Sequence, residues 1–134
     1  MTSWRSSIVN PYKERNVKLL SDELLAQLEA QDPYGLKGPG RELTKEEEQV
    51  VCKFFTPDAN WTWYAVSASQ DPESGDVQFF GLVDGLELEL GYFWLSELES
   101  VRGKLGLPVE RDLYWQPRTL FSLMEELEHA RAVS

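Results

Sequence analysis

The 134-residue sequence contains one cysteine and one histidine, and this scarcity excludes several kinds of site. One cysteine cannot form an internal disulfide, and one cysteine with one histidine cannot complete a zinc site built from soft ligands. Cys52 lies in an apolar run, where a free thiol is usually a small buried side chain. His129 follows Glu125 by four residues, a spacing that favours an ion pair on a helix. We therefore expect no catalytic Cys52–His129 pair.

Positive charge is also scarce, because 13 lysines and arginines face 23 acidic residues and give a net charge of −10. A chain of this sign repels phosphate groups, so we expect no direct binding to nucleic acid or to an anionic membrane. Residues 71–112 alone contain ten acids and three bases. Two interpretations stay open: a solvated face that keeps the domain soluble, or a surface that attracts a basic protein.

Long apolar runs are absent as well. Stretches such as 79–83 and 91–95 fall far short of the roughly 20 residues that a membrane helix needs. Residues 1–10 lack the apolar core of a signal peptide, and the unpaired Cys52 is typical of a reducing compartment, so we expect a cytoplasmic protein. The glycine-rich loop at 34–40 lacks the spacing of a phosphate-binding loop, and we expect no cofactor.

The sequence does contain enough apolar residues for one core, with 42% hydrophobic and 12% aromatic residues. Ser21 as an N-cap and the leucines after it predict a helix at 22–31. A capping box that begins at Thr44 predicts a short helix that ends near Gln49. A second capping box, at Ser96, predicts a helix that ends at Gly103, and a third, at Ser122, predicts a helix at 123–132. Aromatic and β-branched residues predict strands at 50–55, 61–69, 77–83, 86–94 and 112–116.

These elements predict an α+β domain at 19–134 after an N-terminal arm at 1–18. We expect an antiparallel sheet of about five strands with helices packed on one side. The dipeptide Asp84-Gly85 is typical of a two-residue type I′ hairpin, which would place Val83 opposite Leu86. In that register one face of the hairpin is almost entirely apolar.

A set of short motifs between Lys53 and Asp112 resembles the bacterial family catalogued as Domain of Unknown Function 2958. The matching motifs are Lys53-x-Phe-Thr-Pro-Asp58, Thr62-Trp63, Phe80-Gly-Leu82, Glu89-Leu-Gly-Tyr92, Leu95-Ser-Glu-Leu-Glu99, Arg102-Gly103 and Gly106-Leu-Pro-Val-Glu-Arg-Asp112. The resemblance brings no established activity. Members of the family tend to occur on plasmids, phages and integrating elements near genes that counter host restriction. The resemblance therefore implies an accessory or anti-defence role by association.

Two acidic groups are candidate sites. Glu87 and Glu89 share one face of a predicted strand, about 6–7 Å apart, which is loose for joint binding of one ion, so we expect no metal. In the triplet that begins at Glu110, Arg111 could pair with Glu89 or bind an anion, although a structural ion pair is the simpler interpretation. Arg102 has the same two interpretations.

Our leading hypothesis is a non-enzymatic interaction domain that binds a basic, nucleic-acid-handling protein, in the manner of a DNA mimic. Its candidate binding residues are Glu87, Glu89, Glu97, Glu99, Arg102, Glu110, Arg111 and Asp112. The alternative is a small hydrolase or ligand-binding domain that uses Glu89, Glu110, Arg111 and Asp112 around a pocket. A third possibility is a chaperone-like partner recognised through exposed tryptophans.

Overall fold

The computed structural model of the chain describes residues 19–31 and 47–133. Three helices lie in these ranges: α1 (Asp22–Ala30), α2 (Leu95–Ser100) and α3 (Leu120–Val133). The strands are β1 (Gln49–Val50), β2 (Cys52–Phe55), β3 (Thr62–Gln70), β4 (Val77–Asp84), β5 (Leu88–Trp94), β6 (Glu110–Arg111) and β7 (Arg118–Thr119). The expected arm at 1–18 lies outside the described residues, as does most of the loop and helix expected before Gln49.

Five strands form the main sheet in the order β5-β4-β3-β2-β6, and every neighbouring pair is antiparallel. A separate two-stranded ribbon joins β1 to β7. The expected α+β class and the five-stranded antiparallel sheet are confirmed. Helix α1 also begins where expected, because the Ser21 hydroxyl accepts a hydrogen bond from the Leu24 amide at 3.2 Å.

Each face of the sheet carries its own core. On one face, Phe54, Phe79 and Phe93 pack with Leu28 of α1 and Leu98 of α2. On the other face, strand residues pack against α3, in a cluster that contains Tyr64, Val66, Phe80, Leu82, Leu120 and Leu123. The expectation that the helices lie on one side is therefore wrong, because both sets of alternate strand positions are apolar and both need cover.

The β4–β5 hairpin differs from the predicted turn. Asp84 pairs with Leu88, so the loop has three residues, 85–87, and the register is shifted by three positions. A type I′ turn needs positive φ at both central residues, whereas among the described residues only Gly75 and Gly106 have positive φ. Arg131 of α3 stabilises the wider loop, because its guanidinium donates to the carboxylate of Asp84 and to the carbonyls of Gly85 and Leu86.

The predicted strand at 112–116 is also wrong. The Asp112 side chain accepts a hydrogen bond from the Tyr114 amide at 2.9 Å and stabilises a turn, so that strand β6 ends at Arg111. The Trp115 indole then donates to the Val50 carbonyl at 3.0 Å. The expected strand at 50–55 is split at Val51, since Val50 pairs with β7 in the ribbon and Cys52–Phe55 pair with β3 in the main sheet. The Val51 amide donates to the Ala65 carbonyl at 2.9 Å.

The ends of α2 and α3 also differ from the predicted capping boxes. The N-cap position of α2 is Trp94, whose amide donates to the Glu97 side chain at 2.8 Å. Helix α3 begins at Leu120, because the Thr119 hydroxyl accepts from the Ser122 amide at 3.2 Å and caps the first turn. Helix α2 ends at Ser100 instead of reaching Gly103, because Val101 is already extended.

Candidate functional site

The eight candidate residues lie in three places. Glu87 and Glu89 belong to the β4–β5 hairpin, and Glu97 and Glu99 to α2, with Arg102 just beyond it. The triplet at 110–112 lies at β6, on the opposite edge of the sheet from β5. Four strand spacings separate these edges by about 19 Å. Arg111 therefore does not pair with Glu89, which was one of the interpretations left open, and the structure does not bring Glu89 together with Glu110, Arg111 and Asp112.

At the β6 edge the charged side chains are tied into the fold. The Arg111 guanidinium donates to the Leu19 carbonyl at 2.9 Å and so fixes the chain that enters α1. Asp112 lies 4.0 Å from the Lys53 ammonium, besides capping the turn after β6. These are structural contacts, and Glu110 is the one exposed acid of the triplet.

The β5 edge presents side chains outward. We call the five residues Leu86, Glu87, Glu89, Leu90 and Tyr92 the β5 edge surface. Leu86 is 88% exposed, Tyr92 59% and Leu90 40%. Among the described residues β5 pairs only with β4, and neither Glu87 nor Glu89 has an ion-pair partner. An open strand edge offers unpaired backbone groups, and large exposed apolar side chains mark contact surfaces.

The two faces of β5 differ in chemistry. Glu89 and Gly91 are in register with Val83 and Gly81, on the face that α1 and α2 cover farther along. Leu90 and Tyr92 are in register with Leu82 and Phe80, on the face of α3. The Tyr92 ring lies 5.3 Å from that of Phe80, centroid to centroid, and is thereby held in place. One side of the edge is therefore acidic and the other apolar.

The two acids of α2 are both exposed, but they differ in what they do. Glu97 caps its own helix through the Trp94 amide. Glu99 contributes its backbone carbonyl to Arg102, whose Nη1 donates to it at 2.8 Å. Their helix follows β5 directly, so its carboxylates add to the negative field beside the β5 edge surface.

Two of the open grooves that the described residues form lie elsewhere on the surface, and none of the four candidate glutamates at 87, 89, 97 and 99 lines either of them. The larger, of about 580 Å³, separates α3 from the ends of β2 and β3, near Lys53, Asn60 and Arg131. The second, of about 520 Å³, is lined by Thr56, Ala59, Trp61, Trp63, Val101, Arg102, Gly103 and Lys104. We call it the tryptophan groove. Local sequence patterns did not predict this groove, although Trp61-x-Trp63 and Arg102-Gly-Lys104 form its two walls.

The remaining reactive candidates are separated or buried. Cys52 is buried in the core of the α1 face, and burial raises the pKa of its thiol to about 12. His129 is exposed on α3, across the sheet, so the structure forms no Cys52–His129 pair. Burial, with smaller contributions from nearby carboxylates, raises the pKa of Tyr64 to about 12. The described residues contain no group of three or more His, Cys, Asp or Glu side chains placed to hold a metal ion.

The fold and the candidate site define an α+β domain whose antiparallel sheet, among the described residues, has an open β5 edge that is acidic on one side and apolar on the other. Residues 19–133 match the family model described as "Protein of unknown function (DUF2958)", and the chain belongs to this family. Neither a curated protein nor a solved structure matches it. Within the described ranges, no helix has the length and apolarity to cross a membrane.

Proposed function

We propose that this chain is a protein-interaction domain whose β5 edge surface binds a basic protein. The observation that carries the proposal is the coincidence of an open strand edge, three exposed apolar side chains and two carboxylates without ion-pair partners among the described residues. Residues 19–31 and 47–133 contain nineteen acidic and six basic residues. The electrostatic field around the β5 edge surface therefore also attracts positive charge.

In this proposal the partner binds as an added strand. An extended segment added beside β5 would pair with its free backbone groups. Every second side chain of that segment would lie beside Glu89, and the others would lie beside Leu90 and Tyr92. The partner segment therefore alternates lysine or arginine with apolar residues.

The biological setting of this proposal comes from the family resemblance. A basic surface that normally holds DNA phosphates is the kind of surface that an acidic edge would occupy. We therefore propose that the chain is a cytoplasmic protein of mobile-element origin, and that it counters host defence by binding a basic, nucleic-acid-handling protein. The exposed leucines and tyrosine add apolar contacts that pure charge mimicry lacks.

The test uses two short synthetic peptides of one composition, lysine and valine in alternation or in separate blocks, titrated into the full chain by calorimetry. The alternating peptide should bind more tightly, because only it matches both sides of the edge. Glu89→Gln should weaken this binding several-fold, and Glu110→Gln should leave it unchanged, because Glu110 is an exposed acid on the opposite edge.

Raised salt should weaken the binding without abolishing it, since the apolar contacts are not screened. Equal affinity for the two peptides would contradict the proposal that the partner adds a strand beside β5. Equal losses for Glu89→Gln and Glu110→Gln would show that the net charge of the chain, and not the β5 edge, attracts the peptide.

The hydrolase alternative gains no support from the arrangement of its residues. It needs Glu89 and the triplet at 110–112 around one pocket, and these lie on opposite edges of the sheet. Neither groove described above contains any of the four side chains.

A further inference from the structure

The tryptophan groove differs in charge from the rest of the protein. Two of the six basic residues in the described ranges, Arg102 and Lys104, lie on one wall, and none of the eight lining residues is acidic. The opposite wall carries Trp61 and Trp63, whose rings stack at 6.1 Å between centroids with 25° between their planes. Trp61 is 39% exposed although Trp63 is buried.

The basic wall is held rigidly. The Asp58 carboxylate accepts hydrogen bonds from the Leu105 amide at 2.6 Å and from the Leu107 amide at 3.4 Å. Within the same loop, the Gly103 amide donates to the Leu107 carbonyl and the Gly106 amide to the Gly103 carbonyl, both at 3.0 Å. These bonds hold the loop that carries Arg102 and Lys104 beside the chain segment that follows β2.

Gly103 leaves room in this loop for the Asp58 carboxylate. A Cβ atom there would lie 1.5 Å from Asp58 Oδ1, an oxygen that is buried and has no hydrogen-bond partner among the described residues. The absence of a side chain at Gly103 therefore lets Asp58 reach the loop amides. The bonds that shape this wall are all formed within the chain itself.

The Arg102 guanidinium is itself preorganised. Its Nη1 donates to the carbonyls of Glu99 and Val101, both at 2.8 Å. The edge formed by Nε and Nη2 has no hydrogen-bond partner among the described residues. That edge carries two parallel N–H donors, the geometry that binds a carboxylate or phosphate through two oxygens.

We infer that the tryptophan groove binds a small planar aromatic molecule that carries a single anionic group, with a nucleoside monophosphate as the reference ligand. The indole wall contacts the ring, Arg102 binds the anion through its free edge, and Lys104 adds a second positive charge. A volume of about 520 Å³ lies within the range of small-molecule sites. The acidic remainder of the domain repels longer polyanions, so the site selects a single nucleotide over a nucleic-acid strand.

The experiment titrates adenosine 5′-monophosphate, adenosine and inorganic phosphate separately into ¹⁵N-labelled full-length protein and follows amide and indole signals. The monophosphate should give saturable shifts at the Trp61 indole and at the amides of residues 101–104. Adenosine should bind about tenfold more weakly, because it lacks the group that meets Arg102. Phosphate alone should be weaker still, because it lacks the ring.

Three single substitutions test whether the monophosphate binds in the tryptophan groove. Arg102→Gln should weaken binding of the monophosphate about tenfold and Lys104→Gln several-fold. Arg118→Gln should bind like the parent protein, because Arg118 lies in β7 and already pairs with Glu126 at 2.9 Å. Lys104 is exposed and has no hydrogen bond within the described residues, so the result does not depend on Arg102→Gln folding normally.

The proposal is overturned if the monophosphate causes no saturable shift at millimolar concentration, or if the shifts map outside the groove. It is also overturned if inorganic phosphate binds as well as the monophosphate, or if Arg118→Gln weakens binding as much as Arg102→Gln. The latter two results would mean that positive charge alone attracts the anion.

Discussion

Strands β5 and β6 bound the same sheet, but their charged side chains are used differently. At β6, Arg111 is bonded to the backbone before α1, and Asp112 caps the turn that follows the strand. At β5, Glu87 and Glu89 extend from the hairpin with no ion pair among the described residues, beside exposed Leu90 and Tyr92. Asp112 is therefore structural at the β6 edge, whereas Glu87 and Glu89 at the β5 edge have no ion pair among the described residues.

The largest expected effect distinguishes the interior of the sheet from its β5 edge. Gly81 of β4 pairs with Gly91 of β5, so the two glycines occupy one cross-strand position. A Cβ at Gly81 would lie 1.9 Å from the Tyr64 carbonyl oxygen, whereas a Cβ at Gly91 would meet nothing within 4 Å. Gly81→Ala should lower the free energy of unfolding by about 3 kcal/mol or more.

Gly91→Ala is the matched control and should change the free energy of unfolding by less than about 0.5 kcal/mol. Urea denaturation followed by tryptophan fluorescence measures both variants. Similar losses for the two would contradict the view that the sheet face above Gly91 is uncovered.

The next prediction compares how much one charged side chain at each edge of the sheet contributes to the free energy of unfolding. Arg111→Gln should lower the free energy of unfolding by about 1–2 kcal/mol, because it weakens a charged hydrogen bond to the Leu19 carbonyl. Glu89→Gln should change it by less than about 0.5 kcal/mol, because its carboxylate supports no described contact. If Glu89→Gln destabilised the protein as much as Arg111→Gln, Glu89 would have a structural role. That result would contradict the proposal that Glu89 is free to bind a basic partner.

A smaller effect depends on pH. Hydrogen bonds from the Ser96 side chain and from backbone amides hold the pKa of the Asp76 carboxyl below its usual value of 3.8. The folded state therefore binds this proton less readily than the unfolded state. The stability that Asp76 contributes is present above about pH 4 and is lost as the pH falls through the lowered pKa.

The measurement is the thermal midpoint of Asp76→Asn and of the parent protein between pH 7 and pH 2.5. The gap between them should narrow as the solution becomes acidic. A constant gap would mean that the link from Asp76 to the start of α2, which follows β5, does not depend on the carboxylate charge.

Local patterns predicted the elements whose structure local residues determine. Strands β3 and β4 and helix α1 lie within one residue of their predicted ends, because aromatic and β-branched runs and the Ser21 cap act over short distances. The β4–β5 register could not be predicted in this way. It depends on Arg131, which lies more than forty residues from the turn that it stabilises.

The site was predicted only in part for the same reason. Glu87 and Glu89 were identified from charge, but the exposure of Leu90 and Tyr92 follows from the shifted register and from β5 being outermost. The tryptophan groove was missed because Asp58 holds the loop that carries Arg102 and Lys104, across more than forty residues of sequence. Contacts at such separation leave no periodic pattern in the chain.

The most direct test of the binding proposal is amide hydrogen exchange of the full chain with and without the alternating lysine–valine peptide. Exchange at Leu88–Trp94 should be slower when the peptide is present, because added backbone hydrogen bonds protect the free edge. Exchange at Glu110 and Arg111 should not change. Equal protection of both edges, or unchanged exchange at β5 under saturating peptide, would contradict the binding proposal.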